Sequence, residues 1–229
     1  MPTRRPCFRR LAADGGIATI CLKIDNLGVN ISDLQLMEST LLRDNQNNLV
    51  GIRRFRLDDA PLLLSAVCES VEDLCRFMTW CRPDYSLEDS QAFVARCNSD
   101  WEKGEEYNFA IFDVRDEILI GSIGLNRVDR VNRCANIGYW VRQTRTRRGV
   151  ATAGTRLIAE FGLRELGFQR LEIIVPDHNL ASQRVAEKIG AKFECVLRNR
   201  LILTNKLYDA RLYSLVPADL TSPTECCST

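Results

Sequence analysis

The sequence predicts one mixed α/β domain in which a central sheet of about seven strands is flanked by about four helices. Three features support this prediction. Short alternating apolar runs and segments of helical periodicity follow one another along most of the 229 residues. In the second half strands and helices alternate, and residues 171–175 are almost wholly apolar, as in a strand covered on both faces. The chain is also long enough to bury a sizeable core in one domain.

The first half of the chain shows one strand followed by several helix starts. Residues 50–55 alternate apolar and polar side chains, which predicts the first strand. The aspartates at 58–59 can cap a helix that has a proline in its first turn. Ser70 and Ser86 each precede an acidic residue by three positions, so further helices are expected to begin there.

The rest of the chain completes the sheet. Two helices are expected: one over residues 150–166 that ends at Gly167, and one that Asn179 caps and Gly190 ends. Six further strands are predicted, of which the first two and the last two form hairpins: residues 107–114, 118–125, 134–141, 171–175, 193–203 and 207–216.

Three segments differ in pattern. Residues 1–46 look unlike the rest and are predicted to be an N-terminal extension, partly disordered or preceding the true start, although residues 17–22 can form a strand. Regular patterning over residues 47–217 predicts the folded domain. Residues 218–229 are predicted to be a disordered tail. Met37 could be the translation start, so the residues before it are expected to be dispensable.

Composition argues against several function classes. A net charge of +1 argues against a surface that adheres as a whole to nucleic acid or membrane. No run of about 18 apolar residues exists to cross a bilayer, and a cytoplasmic location is expected. The ten cysteines form no Cys-x-x-Cys pair and His178 is the only histidine, so no metal site is expected. Five cysteines in apolar periodic segments are predicted to be reduced, buried thiols: Cys68, Cys75, Cys97, Cys134 and Cys195.

A basic turn is the most informative local feature. Residues 142–148 contain four arginines and lead into Gly149 and a predicted helix start. The first N–H groups of a helix have no internal partner and, with the helix dipole, they favour an anion. A phosphate-bearing ligand is therefore expected, the alternatives being a solvated basic loop or an RNA-binding patch. Residues 149–154 mimic the glycine spacing of a P-loop, but Thr155 and Arg156 follow instead of lysine, which argues against a nucleoside triphosphate.

Five segments together resemble a known family. They are residues 74–80, 137–141, 147–152, 179–190 and 208–215. Their order and spacing resemble the GNAT acetyltransferase superfamily. Within it the chain looks most like the Rim-type ribosomal-protein alanine N-acetyltransferases and related small-molecule N-acetyltransferases. The resemblance covers residues 49–216.

The resemblance implies acetyl-CoA as the donor, a co-substrate, and an amine as the acceptor. It also implies that the fourth and fifth strands of the family fold separate to admit the pantetheine arm. Ser182 is the implied catalytic residue, which protonates the departing thiolate. The implied cofactor-binding residues are Trp140, Val141, Thr146, Arg147, Arg148, Gly149, Val150, Ala151, Thr152 and Asn179.

Three positions depart from the family pattern. Thr146 stands where the turn commonly has glutamine or arginine, and Asn136 and Leu201 stand where related enzymes carry carboxylates. Without those carboxylates a water relay is expected to remove the acceptor's proton, so that the rate rises with pH up to the acceptor's own pKa. If a base is present after all, Glu106 and Glu172 are the first candidates.

The predicted function is therefore acetyl-CoA-dependent N-acetylation of a primary amine, with a protein N-terminus as one acceptor class. One alternative is a small-molecule N-acetyltransferase acting on a polyamine, an amino acid or an antibiotic. Another is a non-catalytic acyl-CoA-binding module, which the missing carboxylates favour. The expected partners are acetyl-CoA and the amine, without nucleic acid, membrane or metal, and the chain is expected to be a monomer or a homodimer.

Overall fold

The computed structural model describes residues 20–21 and 40–220. Nine strands lie within these residues: β1 (Ile20–Cys21), β2 (Thr40–Arg43), β3 (Leu49–Arg54), β4 (Tyr107–Asp113), β5 (Ile118–Asp129), β6 (Cys134–Val141), β7 (Arg170–Pro176), β8 (Lys192–Leu203) and β9 (Lys206–Leu215). They form one sheet in the order β1-β2-β3-β4-β5-β6-β7-β9-β8. The β1–β2 and β6–β7 pairs are parallel, and the other neighbouring pairs are antiparallel.

Five α-helices lie within the described part of the chain: α1 (Ala60–Glu69), α2 (Val71–Phe77), α3 (Leu87–Lys103), α4 (Val150–Glu160) and α5 (Leu180–Lys188). Helix α4 continues as a π-helical segment over Phe161–Glu165. The chain then turns at Gly167, whose φ of 72° is a conformation that glycine adopts readily. The mixed α/β class is confirmed, with more strands and helices than the sequence indicates.

The helices cover both faces of the sheet. Helices α4 and α5 contribute Ile158 and Ala186 to one buried apolar cluster. Helices α1 and α3 contribute Leu63 and Val94 to a second cluster, which also includes Trp140 of β6. Because side chains alternate along a strand, residues next to each other on β6 serve different faces.

Strand β2 extends the sheet before the predicted domain boundary at residue 47. It pairs antiparallel with β3, and Leu41 and Leu42 are buried. Strand β1 falls within the strand predicted over residues 17–22 and pairs in parallel with β2, while the other residues of that prediction lie outside the described ones. Removing the residues before Met37 would take away β1 and leave β2 in place, and their dispensability stays a prediction.

The helix caps agree with the sequence in part. Ser86 is confirmed as a cap, since its Oγ accepts a hydrogen bond from a first-turn N–H at 3.3 Å. Helices also begin after Asp59 and Ser70 as predicted, but neither side chain accepts a hydrogen bond from the helix that it precedes. The Asp59 carboxylate forms a buried ion pair with Arg53 at 2.7 Å, and Ser70 Oγ accepts from the backbone N–H of Gln143 at 3.0 Å. Buried polar groups need partners, and residues outside these two helices supply them here.

The cysteines and the tail also correct the sequence interpretation. Cys97 is buried as predicted, but Cys68 and Cys195 are exposed, because their elements turn those positions to solvent. Cys75 and Cys134 are half-buried. Residues 217–220 form a short 3-10 helix held by an ion pair of Asp219, so the start of the predicted tail is ordered. Its remaining residues lie outside the described part of the chain.

Candidate functional site

Strands β6 and β7 are joined only where they begin. Residues 134–136 pair in parallel with residues 170–172, and the two strands share no pairing beyond them. The pairing ends at Asn136, whose Oδ1 accepts a hydrogen bond from the N–H of Ile174 at 3.3 Å. From there the strands separate, as the resemblance implied. Their facing edges leave backbone groups available to an extended ligand.

The opening leads into a cavity of about 370 Å³. One wall is aromatic and comes from the end of α2, the following loop and α3: Phe77, Trp80, Tyr85 and Phe93. The facing wall is polar and comes from the start of β4 and from β5 and β6: Glu106, Asn108, Ser122, Asn126 and Asn136. Ser182 of α5 and Leu201 of β8 also line the cavity. The volume falls in the range of small-molecule sites.

Ser182 is held at the cavity by two neighbours. Asn179 caps α5, since its Oδ1 accepts from the N–H of Ser182 at 3.1 Å. The Ser182 hydroxyl lies 2.6 Å from the hydroxyl of Tyr139. Burial raises the pKa of Tyr139 to about 12, so the phenol keeps its proton at neutral pH. The two hydroxyls can therefore supply a proton to a leaving group in the opening.

The basic turn presents a row of free backbone N–H groups. None of the six amides of residues 147–152 donates to an acceptor within the described residues. The first amide of this region to find a partner is that of Ala153, which donates to the Gly149 carbonyl at 3.0 Å. Gly149 and Arg147 have φ values of 80° and 61°, left-handed conformations of the kind that occur in anion-binding turns. The turn directly follows β6 and has the chemistry of a phosphate site.

The four arginines of the turn divide into two pairs. Arg142 binds Glu69 at 2.6 Å, and Arg145 binds Asp116 at 2.6 Å, so both are held by carboxylates. The hydrogen bonds from Arg142 lower the pKa of Glu69. Arg147 and Arg148 form no salt bridge with a described residue, and they alone stay available to an anion. Half of the predicted basic cluster is thus structural.

The turn between β2 and β3 buttresses the basic turn. The N–H of Asn45 donates to the carbonyl of Arg148 at 2.7 Å. A side-chain carbon at Gly149 would clash with the Asn45 side chain. Glycine is therefore required there for space as well as for its backbone conformation. Sequence reasoning missed Asn45, because its segment carries no motif and meets the turn only in the folded chain.

The predicted cofactor residues lie in three places. Trp140 and Val141 end β6, and residues 146–152 form the turn that follows. The Thr146 hydroxyl is engaged, donating to the Gln143 carbonyl at 2.9 Å. Asn179 lines the cavity near Ser182. These groups follow one path, from the opening between the strands to the start of α4.

The positions that depart from the family pattern also line the cavity. The Asn136 amide donates to Asn126 Oδ1 at 2.9 Å, and Leu201 contributes an apolar side chain. Of the two carboxylates named as candidate bases, Glu172 binds Arg170 at 2.9 Å and does not line the cavity. Glu106 does line it.

Within the described ranges, no helix has the length and apolar character needed to span a bilayer. The same residues contain no group of three or more histidine, cysteine, aspartate or glutamate side chains placed to hold a metal ion.

Comparison with known proteins shows which family has this sequence and fold. A family model described as an acetyltransferase (GNAT) domain matches residues 50–192. The probable N-acetyltransferase YjcK of Bacillus subtilis (strain 168) is 30% identical over 173 residues, 74% of this chain and 95% of that protein. The ribosomal-protein-serine acetyltransferase of Escherichia coli (strain K12) is 25% identical over 154 residues, 67% of this chain and 85% of that protein. In fold, the chain resembles Mycobacterium smegmatis RimJ in complex with CoA-disulfide, with 23% identity and a TM-score of 0.74 over 80% of this chain and 89% of that one.

Proposed function

The chain belongs to the GNAT acetyltransferase family, and from this premise we propose that its acetyl acceptor is the primary amine of a protein N-terminus. The protein is an acetyl-CoA-dependent N-acetyltransferase. The acceptor class and the roles of individual residues are our proposal.

One observation carries the assignment of the cofactor path. The six free amides of residues 147–152 lie in the turn that follows β6, beyond the point where that strand separates from β7. The residues fit acetyl-CoA: a pyrophosphate accepts hydrogen bonds from such amides, and Arg147 and Arg148 add positive charge. The pantetheine arm would lie in the opening beside Trp140 and Val141. It would reach Asn179, whose amide nitrogen donates to no described acceptor.

The hydroxyl pair supports catalysis over a purely binding role. When the amine attacks the thioester carbon, the C–S bond breaks and sulfur leaves with the electron pair. Ser182 lines the cavity and can give sulfur a proton, and the neutral phenol of Tyr139 lies 2.6 Å from Ser182 Oγ to replace it. A module that only binds acyl-CoA has no need of this pair.

A small-molecule acceptor is the second candidate, and the cavity favours it. Its volume of about 370 Å³ suits a small amine, whereas a protein N-terminus would insert only its first residues.

We also place the enzyme in the cytoplasm. The free thiols of Cys75 and Cys81, 3.3 Å apart, are consistent with a reducing compartment.

An acceptor screen tests the proposal. The full chain is incubated with acetyl-CoA and one amine at a time, and free thiol release is measured together with the mass of the product. Hexapeptides that begin with alanine or serine should be acetylated at the N-terminus, and the same peptides carrying an N-formyl group should release no thiol. Turnover confined to spermidine, free amino acids or an aminoglycoside would move the assignment to the small-molecule class. Acetyl-CoA binding without thiol release from any amine would indicate a non-catalytic module.

A further inference from the structure

The polar wall of the cavity contains one unpaired carboxylate. Glu106 is the only acidic residue among the described residues that line the cavity. It is half-buried and forms no salt bridge with a described residue. Its Oε2 accepts a hydrogen bond from Asn108 Nδ2 at 2.9 Å, which fixes the carboxylate against the sheet. A carboxylate that lines a cavity and forms no salt bridge is placed to accept hydrogen bonds from a bound ammonium group.

The sheet register brings Glu106 into line with the strand opening. Tyr107 pairs with Leu125, so the preceding Glu106 lies beside Asn126, and Asn126 pairs with Asn136. Neighbouring strands lie about 4.8 Å apart, so the Glu106 backbone stands about 10 Å from Asn136. Glu106 and Asn136 both line the cavity, so an acceptor amine bound there would lie between the carboxylate and the strand opening. The carboxylate therefore faces the site of transfer from across the cavity.

Two glycines keep open the space between Glu106 and the opening of β6 and β7. Asn108 pairs with Gly124, and Gly124 pairs with Gly138, which places both glycines in the row next to Glu106. A side-chain carbon on Gly124 would come 2.6 Å from Asn108 Oδ1, and one on Gly138 would come 2.8 Å from Asn126 Nδ2. The two glycines therefore leave room for the Asn108 and Asn126 side chains on the polar wall.

We propose that Glu106 binds the ammonium group of the acceptor and takes its first proton. The inference rests on the proposed function and names the base and the charge state of its substrate. An ammonium loses two protons during transfer. The first passes to the Glu106 carboxylate and frees the lone pair that forms the C–N bond. As the C–S bond breaks, sulfur takes a proton from Ser182. The second nitrogen proton and the proton held by Glu106 leave to solvent, and one proton returns through Tyr139 to restore the Ser182 hydroxyl.

Several charged or titratable groups face Glu106. Arg96 of α3 and Arg127 of β5 line the same cavity, and Cys97 and Asp100 of α3 lie nearby. Arg96 is partly engaged by Asp100, with 3.9 Å between Arg96 Nε and the Asp100 carboxylate. Neither arginine forms a salt bridge with Glu106. In this proposal the Glu106 carboxylate, and not a water relay, removes the first proton of the acceptor.

A binding experiment tests the ammonium site without turnover. Phenethylamine offers an ammonium and a ring for the aromatic wall, and 2-phenylethanol is its neutral counterpart. Calorimetry in the presence of CoA should show that the wild-type chain prefers the amine by about tenfold to a hundredfold, the strength of a hydrogen bond to a charged group. Glu106→Gln should abolish this preference, whereas Glu105→Gln, an exposed neighbouring change, should retain it. Equal affinity of the wild-type chain for the two compounds overturns the proposal.

A pH profile tests the proton transfer. With an acceptor peptide from the screen, wild-type kcat/KM should stay level from about pH 6 up to the α-amine pKa of about 8, because the ammonium itself binds. In Glu106→Gln it should fall by about 10²–10⁴-fold and follow the fraction of neutral amine. Matching wild-type and Glu106→Gln profiles would eliminate Glu106 as the base. If the wild-type chain acetylates no amine but still prefers phenethylamine, the proposed function is contradicted and the ammonium site at Glu106 is retained.

Discussion

Ser182→Ala should lower kcat by about 10²–10⁴-fold while acetyl-CoA affinity stays nearly unchanged. The hydroxyl is needed only when sulfur leaves, so its removal costs an interaction that is made in the transition state. The variant should fold, because the Asn179 cap binds the Ser182 backbone N–H and remains. Tyr139 can still donate to the Ser182 carbonyl at 3.2 Å. Stopped-flow thiol release and calorimetric titration with acetyl-CoA measure the two quantities.

Two further variants sharpen this prediction. Ser99→Ala, an exposed change on α3, should leave kcat unchanged. Tyr139→Phe should lower kcat by less than Ser182→Ala. It removes the phenol that returns a proton to Ser182, but it leaves the Ser182 hydroxyl that protonates sulfur. If Ser182→Ala weakens acetyl-CoA binding as much as it lowers kcat, Ser182 belongs to cofactor binding and another group protonates the thiolate.

Replacing Arg147 and Arg148 together by alanine should weaken acetyl-CoA binding by about ten- to a hundredfold, the range expected for charge-assisted contacts. The salt dependence of the affinity should flatten too, because exposed charges are screened within about 8 Å at physiological ionic strength. The backbone amides of the turn should still bind, so some affinity remains. Alanine keeps the Cβ of arginine, so the positive φ at Arg147 costs the same in both proteins.

The matched control removes the same charge elsewhere. Arg133 and Arg164 are exposed, and their side chains form no salt bridge with a described residue, so their double alanine variant should bind acetyl-CoA normally. Arg142 and Arg145 are unsuitable as controls, because their replacement would also release Glu69 and Asp116. Normal affinity and salt dependence in the Arg147/Arg148 variant would mean that both arginines are merely solvated.

The sequence revealed those parts of the site that are continuous in the chain. The strand before the basic turn, the turn itself and the start of α5 follow one another with fixed spacing, so their residues could be named in advance. The Asn179 cap is confirmed for the same reason, since donor and acceptor lie three positions apart. Local periodicity likewise placed most strands, because each alternates apolar and polar positions on its own.

What the sequence could not reveal depends on contacts between distant segments. Arg142 and Glu69 are paired only in the fold, so four arginines looked equally free. The contact between Tyr139 and Ser182 likewise exists only in the fold, where α5 places Ser182 against β6. Asn45 reaches the basic turn from the turn after β2, which lies before the predicted domain boundary. Pairing across a sheet is fixed by register, and a linear pattern does not show register between separated strands.

The most direct test of acetyl-CoA binding is a thermal melt of the full chain with and without the cofactor. A ligand that binds only the folded state, at about 100 times its dissociation constant, adds about 2.7 kcal/mol to the free energy of unfolding. The midpoint should therefore rise by several degrees with acetyl-CoA, and by less in the Arg147/Arg148 double variant. A midpoint that millimolar acetyl-CoA leaves unchanged would contradict the assignment of residues 147–152 as the phosphate site of an acetyltransferase.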